Sequence, residues 1–197
     1  MENFRSYSIY LQDAIYSVDD NQINNLISIL YDAYLKDKTV FVIGNGGSAA
    51  NASHFAQDLA KGTKVSIDCP KRIRALSLAD NVAFICALGN DDGFDQIFEQ
   101  QLRTYARPGD VLVAISVSGN SSNIIKAVNW ANNNDLTTVG VTGFNGGKLR
   151  EINQYSVHVP LSDMCTSESI HTIIFHYVVL VLTEKLKKEE KLKVKML

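Results

Sequence analysis

His54 and Asp58 stand four residues apart in the stretch HFAQD, and on a helix that spacing puts both side chains on one face, able to reach one metal ion or one substrate. Far along the chain Glu168, His171 and His176 form a second ionisable set. Eight residues separate Glu168 from His176, a little over two helical turns, so these two also share a face. Two histidines and two carboxylates on two helices, His54, Asp58, Glu168 and His176, make a four-ligand N/O site for a divalent transition metal, with zinc the leading candidate. Each part also has a plainer reading. H-x-x-x-D serves equally as an exposed helix pair, and His176, inside the apolar run IIFHYVV, equally as a hydrogen-bonded core or interface residue. His158, in YSVHVP with no acidic neighbour, reads as structural.

Three loops offer a different chemistry. GNGGS (44–48), GNDDGF (89–94) and SVSGNSSN (116–123) read as strand-end loops that present small residues, amides and hydroxyls to one crevice. In the third, Ser116, Ser118, Ser121 and Ser122 precede IIKAV, so their hydroxyls and the free N–H groups of a helix N-terminus converge on an anion. Neither G-x-x-x-x-G-K-[ST] nor G-x-G-x-x-G in its usual phase occurs, which disfavours a nucleotide. Serines without a P-loop lysine suit a monophosphate on a small molecule, held by dipoles and hydrogen bonds. A turn rich in helix caps would show the same residues in SGNSSN; the presence of GNGGS at a neighbouring strand end favours the anion site.

Elements must bring these loops and helices together. Up to residue 36, apolar residues recur at helical spacing with a break near DDNQ, which predicts two helices joined by a turn. KTVFVIGNGGSAANASHFAQDLA then reads as strand, glycine-rich turn and helix. The same grammar repeats in RIRALSLADNVAFICALGND, GDVLVAISVSGNSSNIIKAVNWANNN and LTTVGVTGFNGGKLREIN, followed by a fifth strand, YSVHVP, and a long helix from about 164 to 187. The expectation is a single α/β domain over 1–197: N-terminal helices (1–36), a three-layer αβα core with a five-stranded parallel sheet (37–187), and a charged, solvated helical tail (188–197). The ligand belongs beyond the carboxyl ends of the strands.

Bulk properties narrow the partners. A formal charge of −2 with both signs interspersed gives no basic field for nucleic acid. Cys69, Cys86 and Cys165 are widely spaced, which fits a reducing cytoplasm better than a disulfide framework or a zinc knuckle. The N-terminal stretch has no apolar h-region, and IIFHYVVLVL is about half a membrane span and reads as a buried helix, so no membrane association is expected.

GNGGSAANASHFAQDLA, GNDDGFDQIF and PGDVLVAISVSGNSSNIIKA, with an acidic residue eight positions before a histidine on the last helix, together resemble the phosphoheptose isomerases of the sugar isomerase (SIS) domain superfamily, up to about residue 185. The resemblance implies a flavodoxin-like SIS fold and an aldose–ketose isomerase converting sedoheptulose 7-phosphate to glycero-manno-heptose 7-phosphate. It also implies a zinc-containing homotetramer with active sites shared between subunits. It places Asn45, Gly46 and Gly47 on the sugar, with Ser48 beside them, and likewise Asn90 and Asp91. Ser116, Ser118 and Ser121 fall on the phosphate, with Val117 contributing backbone. His54, Asp58, Glu168 and His176 fall on metal positions, Glu168 also on a substrate position, and Asp58 and His176 on the acid/base positions. The chain departs from the family pattern in four places. Asp58 replaces a glutamate, Glu168 a glutamine, Gly62 a frequent arginine and Cys165 a frequent aspartate. The family also contains replication-initiator-associating proteins with no known catalytic role, so a non-catalytic phosphosugar sensor or adaptor, or an isomerase of another sugar phosphate, stands as the alternative. In the isomerase reading Asp58 or Glu168 moves the carbon proton and His176 shuttles protons at the oxygens.

Overall fold

The computed structural model describes residues 3–69 and 71–195. Two N-terminal helices, α1 (Phe4–Tyr16) and α2 (Asp20–Leu35), start at Asn3 and Asp19, whose side chains accept from the N–H groups of Ser6 and Asn21. Five strands follow: β1 (Thr39–Ile43), β2 (Arg74–Ser77), β3 (Val111–Ser116), β4 (Thr137–Thr142) and β5 (Tyr155–His158). They pair in parallel in the order β2-β1-β3-β4-β5. This is the doubly wound order in which the strand sequence reverses direction between β1 and β3, opening a crevice at their carboxyl ends.

The connecting helices are α3 (Gly47–Gln57), α4 (Val82–Asp91), α5 (Glu99–Tyr105), α6 (Ser122–Asn132), α7 (Gly147–Ile152) and α8 (Met164–Lys195). Because side chains alternate along a strand, β1 and β3 each feed two cores. Val40, Val42, Val113, Ile115 and Val141 pack beneath α2, α3 and α8. Phe41, Ile43, Leu112 and Ala114 pack beneath α4 to α7. Coverage of both faces explains why the strands read as unbroken apolar runs.

Two expectations are corrected. GNDDGF does not leave a strand: β2 ends at Ser77, Asn81 caps α4 through Phe84 N–H, and Gly89 to Asp91 form the last turn of that helix. The run IIFHYVVLVL is not buried all round, since Ile173, Tyr177 and Leu180 face outward while Ile174, Phe175 and Val178 are in the core. The charged tail from 188 is, up to Lys195, the continuation of α8, and Tyr31 Oη donates to Glu189 there at 2.9 Å. The tail's residues 196 and 197 lie outside the described residues, as do Met1, Glu2 and Pro70. Over Met164–Glu190, α8 is long and apolar enough to cross a membrane by length and composition, but its inner face is packed against α2 and α3.

Candidate functional site

The crevice between β1 and β3 holds a cavity of about 240 Å³ lined by Asn45, Gly46, Gly47, Ser48, Ile115, Ser116, Val117, Ser118, Ser121, Met164 and Glu168. The first and third glycine- and serine-rich loops therefore meet as their sequences predict. Ser116 sits at the end of β3, and its Oγ accepts from Gly119 N–H at 3.2 Å and lies 3.4 Å from Ser121 Oγ. Ser121 occupies the N-cap of α6 without spending its side chain on a capping bond, so hydroxyls and unpaired helix N–H groups remain for an anion. None of the lining residues is lysine or arginine, so a phosphate here would be held by dipoles and hydrogen bonds. Ser122, the first residue of α6, is exposed and outside the lining.

Glycines shape the opposite loop by close approach. A side chain at Gly44 would strike the backbone carbonyl of Ser48, and one at Gly47 would strike the carboxylate of Glu168. Glu168 reaches over from α8 into the space that Gly47 leaves, and its carboxylate has neither a hydrogen-bond nor an ion-pair partner among the described residues. Asn90 and Asp91 are exposed at the end of α4, bonded to each other at 2.8 Å, and do not line this cavity in the single chain.

The second grouping lies further along α3 and α8. His54 Nε2 is 3.4 Å and His176 Nε2 is 3.8 Å from the same Asp58 oxygen, Oδ2. The two imidazoles meet edge to face with centroids 5.0 Å apart. One donor atom from each of the three residues falls within 4.8 Å of the others, which suits a borderline ion that accepts imidazole and carboxylate ligands. Glu168 is not in this group, and seven residues of α3, about 10 Å of rise, separate Gly47 from His54. The four residues read from sequence as one site are thus divided, with three in the cluster and Glu168 in the cavity.

Residues that the sequence reading did not single out hold the two helices in register. Asn51 Nδ2 donates to Glu168 O at 3.0 Å, and Thr172 Oγ1 donates to Asn51 Oδ1 at 2.8 Å. One turn on, Phe55 stacks on Phe175 with centroids 4.1 Å apart, and the His54, Asp58 and His176 cluster follows. The signal was present: residues 51, 54, 55 and 58 share one helical face. What periodicity does not reveal is that α3 widens at Asp58 into a π turn, Asp58–Gly62, of the type often found at functional positions. Gly62 packs beside Asp58, and an added Cβ would make ordinary van der Waals contact with Val179 at 3.6 Å and with Asp58 Oδ1 at 3.7 Å.

The remaining histidines are structural. His158 Nδ1 lies 3.0 Å from Thr142 Oγ1, and burial, with the Arg150 charge adding to it, lowers its pKa. His171 is fully buried and donates from Nε2 to Thr142 O at 3.2 Å. Its Nδ1 has no hydrogen-bond partner among the described residues. Desolvation lowers its pKa to about 4, against the opposing backbone hydrogen bond and with a minor contribution from His158.

The SIS domain family profile matches residues 3–143. Over 137 residues the chain is 39% identical to the phosphoheptose isomerase of Rhodospirillum rubrum, covering 70% of this chain and 71% of that one. The chain belongs to the phosphoheptose isomerase family. The solved phosphoheptose isomerase of Neisseria gonorrhoeae superposes with a TM-score of 0.83 at 29% identity, over 92% of this chain and 95% of that chain. That of Francisella tularensis superposes with a TM-score of 0.84 at 27% identity over the same shares. These phosphoheptose isomerases share the five-stranded α/β architecture described above, and the chain is therefore an enzyme of an isomerase family with the SIS fold.

Proposed function

We propose that this chain interconverts an aldose and a ketose phosphate, with sedoheptulose 7-phosphate and glycero-manno-heptose 7-phosphate as the pair. The observation that carries this is the cavity at the β1/β3 crevice, in which a wall of serines at a helix N-terminus faces an unpartnered carboxylate, Glu168. The serine wall receives the phosphate, and Asn45 with the Gly46–Gly47 turn receives the sugar. Aldose–ketose exchange removes a proton from the carbon next to a carbonyl and returns it to the neighbouring carbon through an enediol, so it needs a base and a second group that moves protons between the oxygens. Glu168 supplies the base at the cavity and the paired Asp58 and His176 supply the second exchange, with the carbonyl end of the sugar lying between cavity and cluster so that both reach the enediol. His54, Asp58 and His176 fit a divalent ion, zinc first, by their donor set. When bound, such an ion polarises a carbonyl and stabilises the developing oxyanion.

Assembly as a homotetramer with shared sites is part of the same reading. It is supported by an apolar groove of about 260 Å³ between α1, α2 and α8, flanked by the exposed Ile173 and Tyr177. The exposed thiols of Cys86 and Cys165 suit a reducing cytoplasm.

The test is to incubate the protein with sedoheptulose 7-phosphate after chelation, with and without added zinc, and to follow the aldoheptose phosphate by NMR. Metal-dependent conversion, lost at least about a hundredfold in Glu168→Gln, is the expected result. Full activity in both Glu168→Gln and Asp58→Asn would remove both carboxylates from the mechanism. Phosphosugar binding without turnover would point to the sensor class instead.

A further inference from the structure

Asn123 follows the serine loop as the second residue of α6 and is buried to 1% exposure, an unusual place for a primary amide. Its Oδ1 accepts the backbone N–H of Ile124 at 2.9 Å and also accepts Asn45 Nδ2 at 2.9 Å. Its Nδ2 donates to Asn45 Oδ1 at 2.9 Å. A backbone N–H can only donate, so the bond to Ile124 fixes which end of the Asn123 amide is oxygen. The reciprocal pair then fixes the orientation of Asn45 in turn. Asn45 keeps one N–H and one lone pair for a ligand, in an orientation set from the far side of the cavity.

We infer that Asn123 is a positioning residue: it locks the Asn45 amide across the crevice and ties the β1–α3 turn that receives the sugar to the helix N-terminus that receives the phosphate. The inference rests on the sugar-phosphate reading above. Its energetic sense is preorganisation, since an Asn45 amide free to rotate must be ordered on each binding event, and misplacements of about 1 Å cost on the order of a hundredfold in rate.

The test is a double-mutant cycle on kcat/KM with Asn45→Ala, Asn123→Ala and the pair, alongside the side-chain amide resonances of Asn45 in 15N-labelled protein, identified by their loss in Asn45→Ala. If Asn123 acts through Asn45, Asn123→Ala lowers kcat/KM about ten- to a hundredfold, and the double variant is no worse than Asn45→Ala alone. Asn123→Asp keeps both acceptor bonds but replaces the donor to Asn45 Oδ1 by a carboxylate oxygen that repels it, so it breaks the reciprocal pair without removing the side chain and serves if the alanine variant does not fold; it is expected to shift and broaden the Asn45 amide pair. Additive losses in the cycle, or an Asn45 amide pair unchanged in either Asn123 variant, would overturn the inference. A wild-type protein that neither binds nor converts sugar phosphates would instead sink the reading of the cavity, while the amide resonances still decide whether Asn123 holds Asn45.

Discussion

The cavity and the ionisable cluster sit on the same two helices, yet they are built in opposite ways. In the cavity, position is fixed by backbone, namely the ends of β1 and β3 and a glycine turn with no room for a side chain at residue 44, and by a half-buried amide pair joining the two loops. In the cluster, three side chains meet on an outward face, with His54 and His176 each half exposed and Asp58 at the start of a π turn. Hydrogen bonds between fixed groups hold their geometry without a ligand, whereas long side chains near water keep theirs only when something binds them. In the reading proposed above, the strands fix the recognition groups before binding, whereas the geometry of Asp58 and His176 depends on what joins them.

That contrast can be broken experimentally. The largest expected effect is on turnover alone: Asp58→Asn and His176→Ala should each lower kcat about a hundred- to ten-thousandfold while leaving affinity for the phosphosugar within about twofold. Calorimetric titration beside the rate assay separates the two, and a parallel loss of binding would merge cluster and cavity into one site. Ser118→Ala should do the reverse, weakening binding about tenfold or more through one lost hydrogen bond to a dianion, with little change in kcat once substrate saturates. A smaller and purely structural effect belongs to Gly44→Ala. Its methyl group meets the Ser48 carbonyl, a backbone atom that cannot swing aside, so about 1–3 kcal/mol of stability should go and Tm should fall by several degrees in a thermal melt.

The last effect appears only in acid and concerns neither region directly. His171 is neutral in the folded protein because its pKa is lowered to about 4, whereas in the unfolded chain it takes up a proton near pH 6.5. Its contribution to stability is therefore complete above about pH 6.5 and is lost as pH falls toward 4. His171→Gln should flatten that acid limb in denaturant titrations between those pH values, and an unchanged slope would assign acid sensitivity elsewhere.

How much of this the sequence disclosed follows from what periodicity can encode. The strands, their parallel pairing and the convergence of residues 44–48 with 116–121 were legible because doubly wound sheets admit few connections and put ligands at strand ends. GNDDGF misled because its glycines resemble those of a strand-end turn, while the cap that makes it the end of α4 lies back at Asn81. The apolar run around His176 concealed an outward stripe, since composition does not distinguish a face packed on the core from one left for another surface. Glu168 and His176 share a helical face as expected, but the phase of a helix does not say how far a side chain leans along it, and Glu168 leans toward Gly47. Asn123 lies within the motif SVSGNSSN, but nothing in a linear pattern announces a pairing across 78 residues.

His176, Tyr177 and Leu180 lie three, four and seven residues beyond Ile173 along α8, so the four form one outward ridge. Whatever surface shields Ile173 and Tyr177 from water must also close over the imidazole between them. If the homotetramer proposed above uses this ridge, hiding it and drying the histidine are a single event, and specific activity is expected to fall on dilution before the fold itself is lost.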